Sequence, residues 1–161
     1  MRERILAAAQ EALRVATAPR FFRTERGYQG RFYCALQEAL DARGLTGDGV
    51  ILEMEYQKSA RHDMTQRPDI VLHIPAEDSG QGVRANNFAV FALKWKASRA
   101  DAVDDFNKLD EMCERLDYPL AIFINVASDQ HHRDAYTGRF ADRLQTYAVD
   151  LVDGTPRLVT G

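Results

Sequence analysis

The sequence predicts an α/β fold: a mixed central sheet of at least four strands with helices on its faces. Three observations lead there. Two amphipathic segments open the chain. Apolar runs at 50–56, 68–74 and 88–95 then follow one another closely. A helix-periodic segment separates them from a fourth run at 119–126, as a crossover between parallel strands requires.

Residues 2–16 read as a helix because Ile5, Leu6, Ala9, Leu13 and Ala16 form one stripe, and Pro19 closes it. A second helix covers about 25–43 through Tyr28, Phe32, Leu36 and Leu40, with Gly44 as its stop. In the first strand, 50–56, alternation sets Ile51, Glu53 and Glu55 on one face. The stretch 57–67 is polar and basic, a loop or strand extension. Residues 68–74 are the second strand and 76–87 a loop. Residues 88–95 are apolar almost throughout, as in a central strand buried on both faces. A helix at 101–116 presents Phe106, Leu109, Met112 and Cys113 on one side. After the fourth strand, 131–145 reads as another helix through Tyr136, Phe140 and Leu144, and 147–152 as a last short strand. Residues 1–161 read as one domain with neither repeat nor linker.

The composition is that of a globular protein, 45% apolar and 28% charged. The formal net charge is -3, whereas a protein that grips many phosphates carries a basic surplus. Any hold on nucleic acid is therefore local or shared with another chain. Cys34 and Cys113 have neither disulfide nor zinc spacing and read as packing residues. The N-terminus does not read as a signal peptide and no apolar run matches a membrane span, so the expected location is cytoplasmic.

The chemistry-bearing feature is a pair of neighbouring strands. Pro68-Asp69 opens one; Ala92-Leu93-Lys94 ends the next. A lysine within so apolar a strand needs an anion or water for its ammonium. Alternation places Ala92 and Lys94 on one face.

This pattern resembles the PD-(D/E)xK nuclease superfamily, with its restriction-endonuclease-like three-layer core. There a Pro-Asp precedes a hairpin whose next strand carries an acid, one spacer and Lys. Here these are Pro68-Asp69 and Lys94, with Ala92 at the acid's position. One branch of the superfamily also matches Thr24-Glu25-Arg26 at a helix start, Glu55-Tyr56-Gln57 at a strand end and Asn86-Asn87 before the third strand. It matches Asp104 or Asp105 followed by Lys108-Leu109 on the next helix. The ordered set covers roughly residues 24–126.

The resemblance implies metal-dependent phosphodiester hydrolysis of nucleic acid, DNA favoured, with Mg²⁺ or Mn²⁺ as cofactor. Asp69 would be the central ligand, the Leu93 carbonyl a further oxygen, and Lys94 the residue that orients water or stabilises charge. Glu55 and Glu25 would reach the metal or its waters. Lys96, Arg67, Lys58, Arg61 and Arg26 would form a basic rim for a phosphate backbone. Ala92 has three explanations: a change that silences the enzyme, which the intact surroundings favour; an acid relocated to Glu53 or Glu55; or a natural pseudoenzyme. The alternative function is a catalytically inactive interaction or nucleic-acid-binding protein of the same fold. A homodimer, an inhibitor, a toxin's setting and a larger parent protein stay open.

Each residue also has a plainer reading. Asp69 can cap a turn, Lys94 can face solvent from an edge strand, and Glu25 suits any helix start. His131-His132 reads as surface.

Overall fold

The computed structural model describes residues 1–54, 68–75, 78, 80–82 and 84–161. Helices α1 (Arg2–Val15) and α2 (Glu25–Asp41) lead, joined by a 3-10 turn at Pro19–Arg23. Strands β1 (Ile51–Met54), β2 (Ile70–His73) and β3 (Asn87–Trp95) follow, then α3 (Arg99–Leu116) and β4 (Ala121–Val126). Strands β5 (Leu144–Val152) and β6 (Thr155–Thr160) close the chain. The six strands form one mixed sheet in sequence order. The pairs β1-β2, β2-β3 and β5-β6 are antiparallel, while β3-β4 and β4-β5 are parallel.

Three layers follow from alternation. Ile70, Leu72, Phe91, Leu93 and Ile122 face a core shared with Ile5, Leu13, Phe32 and Leu36 of α1 and α2. Val71, Val90, Ala92 and Phe123 face Phe106, Leu109 and Met112 of α3. The rings of Phe106 and Phe123 meet edge-on, with centroids 5.1 Å apart. Residues 89–93 are thus buried on both faces because β3 is central and covered by helices on each side, whereas Trp95 at its end is exposed.

The helical ends carry their own signals. Thr24 caps α2 by accepting the Gly27 N–H at 3.1 Å. Ser98 and Asp101 form a reciprocal capping box on α3. Gly44, at φ +58°, ends the turn after α2, as expected.

The C-terminal third departs from the sequence reading. Residues 131–145 are not a helix; only Arg133–Ala135 makes a 3-10 turn. The Asp110 carboxylate of α3 holds the segment in another shape. It accepts the Arg139 N–H at 3.0 Å and the Tyr136 hydroxyl, which in turn accepts the Phe140 N–H at 2.8 Å. Gly138 passes so close to Asp110 that a Cβ would collide with the carboxylate. The connection from β4 to the parallel β5 is therefore a pinned loop.

The expected last strand is longer, Leu144–Val152, and it turns back into β6. The turn residues Asp153 (φ +49°) and Gly154 (φ +75°) suit a two-residue hairpin. Pro156 is confined to this edge strand, as its missing N–H demands. The histidines are more engaged than surface residues. His132 Nε2 lies 3.0 Å from the Ala97 carbonyl, and His131 Nδ1 accepts the Arg133 N–H at 3.1 Å.

Asp110→Ala leaves the Arg139 N–H and the Tyr136 phenol short of a partner, an expected loss of about 1–3 kcal/mol. Urea unfolding of the variant against the parent chain measures it. An unchanged midpoint would show that the loop is not held by this carboxylate.

Candidate active site

The pocket forms where β2 begins and β3 ends. Pro68 cannot donate a backbone hydrogen bond, so the ladder weakens there. The Asp69 N–H still bonds to the Phe91 carbonyl at 3.2 Å. One rung on, the Asp69 carboxylate replaces backbone: Oδ2 accepts the Leu93 N–H at 2.7 Å. The Val90 N–H bonds to the carbonyl of Leu120, just before β4, so even-numbered backbone groups of β3 face β4 and odd-numbered ones face β2. The Leu93 carbonyl therefore points to the same side as its N–H, toward Asp69.

Glu25, Asp69, Ala92, Leu93 and Lys94 line one cavity of about 80 Å³, together with Pro68, Asp105 and Lys108. Five of the expected site residues are brought together, from α2, the start of β2 and the end of β3. Glu25 Oε2 accepts the Trp95 N–H at 3.1 Å, tying the start of α2 to the end of β3. Gln29, buried one turn later, donates to the Asp69 carbonyl at 3.3 Å.

Other expected residues fall elsewhere. Glu55, Lys58, Arg61 and Arg67 lie outside the described residues. Glu53 meets His73 Nε2 at 3.1 Å and does not line the cavity. Arg26 is exposed on the first turn of α2. Lys96 was expected to continue the face of Lys94, but β3 stops at Trp95. The Lys96 backbone turns left-handed at φ +51°, and its ammonium sits 4.7 Å from the Trp95 ring centroid.

The sequence reading did not assign a role to Asp105. Of the two aspartates that matched the family pattern on this helix, Asp104 is exposed and Asp105 is 5% exposed. Its Oδ1 accepts from Lys108 Nζ at 2.7 Å, and its Oδ2 has no hydrogen-bond partner among the described residues. A signal was present: Asp105 lies in the buried stripe Ala102, Phe106, Leu109, Met112 at helical spacing. Asn125, paired with Lys94 across β3 and β4, was also missed. Fully buried, it accepts the Ala97 N–H at 2.8 Å and donates to the Gln130 carbonyl at 2.7 Å, fixing the loop between β3 and α3.

Burial pushes the Asp69 carboxyl up to about 6; the Leu93 hydrogen bond opposes this, Glu25 and Asp105 add to it, and Lys94 opposes it. Hydrogen bonding to Asp105 holds the Lys108 ammonium protonated above its ordinary range. Among the described residues, no three His, Cys, Asp or Glu gather closely enough to hold a metal ion by themselves. The donors at hand are two aspartates, one carbonyl and nearby Glu25. That set suits Mg²⁺ or Mn²⁺, which are held by one or two carboxylates and keep several waters. The orphaned oxygen of Asp105 supports the fit.

The raised Asp69 value has a consequence for folding. Its folded pKa, about 6, exceeds the ordinary 3.8, so the unfolded chain releases the proton first. The stability this group contributes is full below pH 4 and is lost as pH rises through 6. Asp69→Asn keeps an acceptor for the Leu93 N–H, so without metal it should be more stable than the parent at pH 7.5, by about 1–3 kcal/mol. The gain should vanish near pH 4. Urea titrations in EDTA at both pH values test this; a pH-independent difference would contradict it.

No protein-family model matches the chain, and no curated protein matches it. Among solved structures, Pyrococcus furiosus SfsA in complex with Ca²⁺ is similar at 9% identity and a TM-score of 0.41. The match covers 83% of this chain and 61% of that one, so this chain spans less than two thirds of its neighbour's length. Among the described residues, no helix is long and apolar enough to cross a membrane.

Proposed function

We propose that this chain hydrolyses phosphodiester bonds of nucleic acid, DNA in preference to RNA, with a divalent ion, Mg²⁺ or Mn²⁺. The observation that carries the reading is the convergence of Asp69, Lys94 and Glu25 on one cavity at the open end of the β2-β3 ladder. The sequence pattern expected these residues to act together. Asp69 and the Leu93 carbonyl present hard oxygens to the ion. A bound ion would polarise the phosphate and acidify an attacking water. Lys94, at the rim, places a positive charge where negative charge builds on the phosphate, and it can orient the water. Glu25, anchored through Trp95, stands at the edge of the cavity to hold solvent around the ion.

A second reading, a non-catalytic nucleic-acid or protein-binding relative of the same fold, draws on one observation. The position at the floor of the cavity that would carry an acid is Ala92, buried against α3. The two readings divide on turnover.

The test is cleavage of supercoiled plasmid, single-stranded DNA and RNA in Mg²⁺ and Mn²⁺, with EDTA as control. Expected is metal-dependent cleavage that falls about 10²–10⁴-fold with Asp69→Ala and with Lys94→Ala. No cleavage of any substrate, by the parent chain or by Ala92→Glu, would overturn hydrolysis and leave the binding reading.

A further inference from the structure

Ala92 leaves the pocket one carboxylate short on the strand, yet α3 brings another to the same cavity. Asp105 lies in the buried stripe of α3, the stripe that packs against Val90 and Ala92. It lines the cavity together with Asp69, Ala92 and Lys94. Its burial is costly. A carboxylate oxygen shut away without a donor loses its hydration with nothing in return, and native structures leave few such atoms unexplained. Lys108 satisfies only Oδ1. Lys108 itself is 40% exposed against 7% for the Asp105 side chain. The ammonium can therefore withdraw to water while the carboxylate stays. The negative charge of Asp105 is felt at Asp69, which places the two acids in one electrostatic neighbourhood. Glu25, Asp69 and Asp105 line the pocket against Lys94 and Lys108, and once Lys108 turns to water the excess of acid is what a divalent ion neutralises.

We infer that Asp105 and Asp69 together ligate the divalent ion, so that helix α3 supplies the acid absent from position 92. Ala92 is then a relocation of the ligand and not a silencing. Its methyl group leaves room for the helical carboxylate where a strand acid would add a third negative charge. Lys108 holds the place of the metal in its absence and leaves Asp105 when the ion binds. The inference rests on the reading of this pocket as a metal-assisted site.

Mn²⁺ binding to the full chain, by calorimetry and by the loss of the free-ion paramagnetic resonance signal, tests it without any substrate. The parent chain should bind one Mn²⁺. Asp105→Asn should weaken binding by at least the ~10–100-fold that loss of groups around a metal brings, with the fold confirmed by circular dichroism. Adding Ala92→Glu to Asp105→Asn should restore affinity, because the acid returns to the strand. Absence of Mn²⁺ binding in the parent chain, or an affinity untouched by Asp105→Asn, would overturn the inference. Cleavage separates the two readings. Binding that is lost with Asp105→Asn, in a chain that cleaves nothing, upholds the metal site and refutes hydrolysis. Cleavage with unchanged affinity in Asp105→Asn does the reverse.

Discussion

The site depends on one hydrogen bond, from the Leu93 N–H to the Asp69 carboxylate at 2.7 Å. At that rung a side chain takes over from backbone in the β2-β3 ladder. Pro68, just before Asp69, cannot donate to the ladder, and the Leu93 N–H takes its acceptor from the Asp69 side chain. The bond does three things at once. It closes the ladder, it fixes the carboxylate against the strand, and it leaves the Leu93 carbonyl pointing to the same side. A rigid central strand, packed between Phe32 of α2 on one face and Phe106 of α3 on the other, supplies the stiffness such a site needs.

The neighbouring elements converge on that rung through bonds to backbone. Glu25 grips the Trp95 N–H, Gln29 the Asp69 carbonyl, and Asn125 the loop that starts α3. Glu25 joins α2 to the end of β3, Gln29 joins the same helix to the start of β2, and Asn125 joins β4 to the loop after β3. Helix starts and strand ends are therefore registered to one another within hydrogen-bond tolerance, and the acids they carry share a small volume. The resulting charge repulsion is visible at Asp69, whose carboxyl is raised to about 6 by burial and by its acidic neighbours. Such a destabilised arrangement is typical of sites whose charge is completed by a ligand.

The sequence disclosed the elements whose periodicity is set by their own burial. Both leading helices, the apolar run 88–95 and the crossover helix were legible because their apolar spacing reports which face is covered. Residues 131–145 were not, because the pattern Tyr136, Phe140, Leu144 is helical in spacing only. Asp110, more than twenty residues earlier, captures the Arg139 N–H, and the Tyr136 hydroxyl that it holds captures the Phe140 N–H. Strand β6 was legible in principle from Asp153-Gly154 followed by Thr155 to Thr160. In the site, Asp69, Lys94 and Glu25 followed from a local pattern. Asp105 stood in the same pattern beside Asp104, and only the three-dimensional path of α3 distinguishes the buried one from the exposed one.

That distinction bears on how the pocket tolerates alanine at position 92. Opposed elements give two routes for an acid into the same space: outward from β3 or inward from α3. Two acids from both routes beside Asp69 would raise the cost of the metal-free state, since like charges at short range in a poorly hydrated pocket repel strongly. With Ala92 on the strand, the cavity sets three acids, Glu25, Asp69 and Asp105, against Lys94 and Lys108. The helical acid also brings its own counter-ion one turn away, at an i,i+3 spacing that a strand does not offer. The arrangement seats Lys108 on one oxygen of Asp105 and leaves the other without a donor among the described residues.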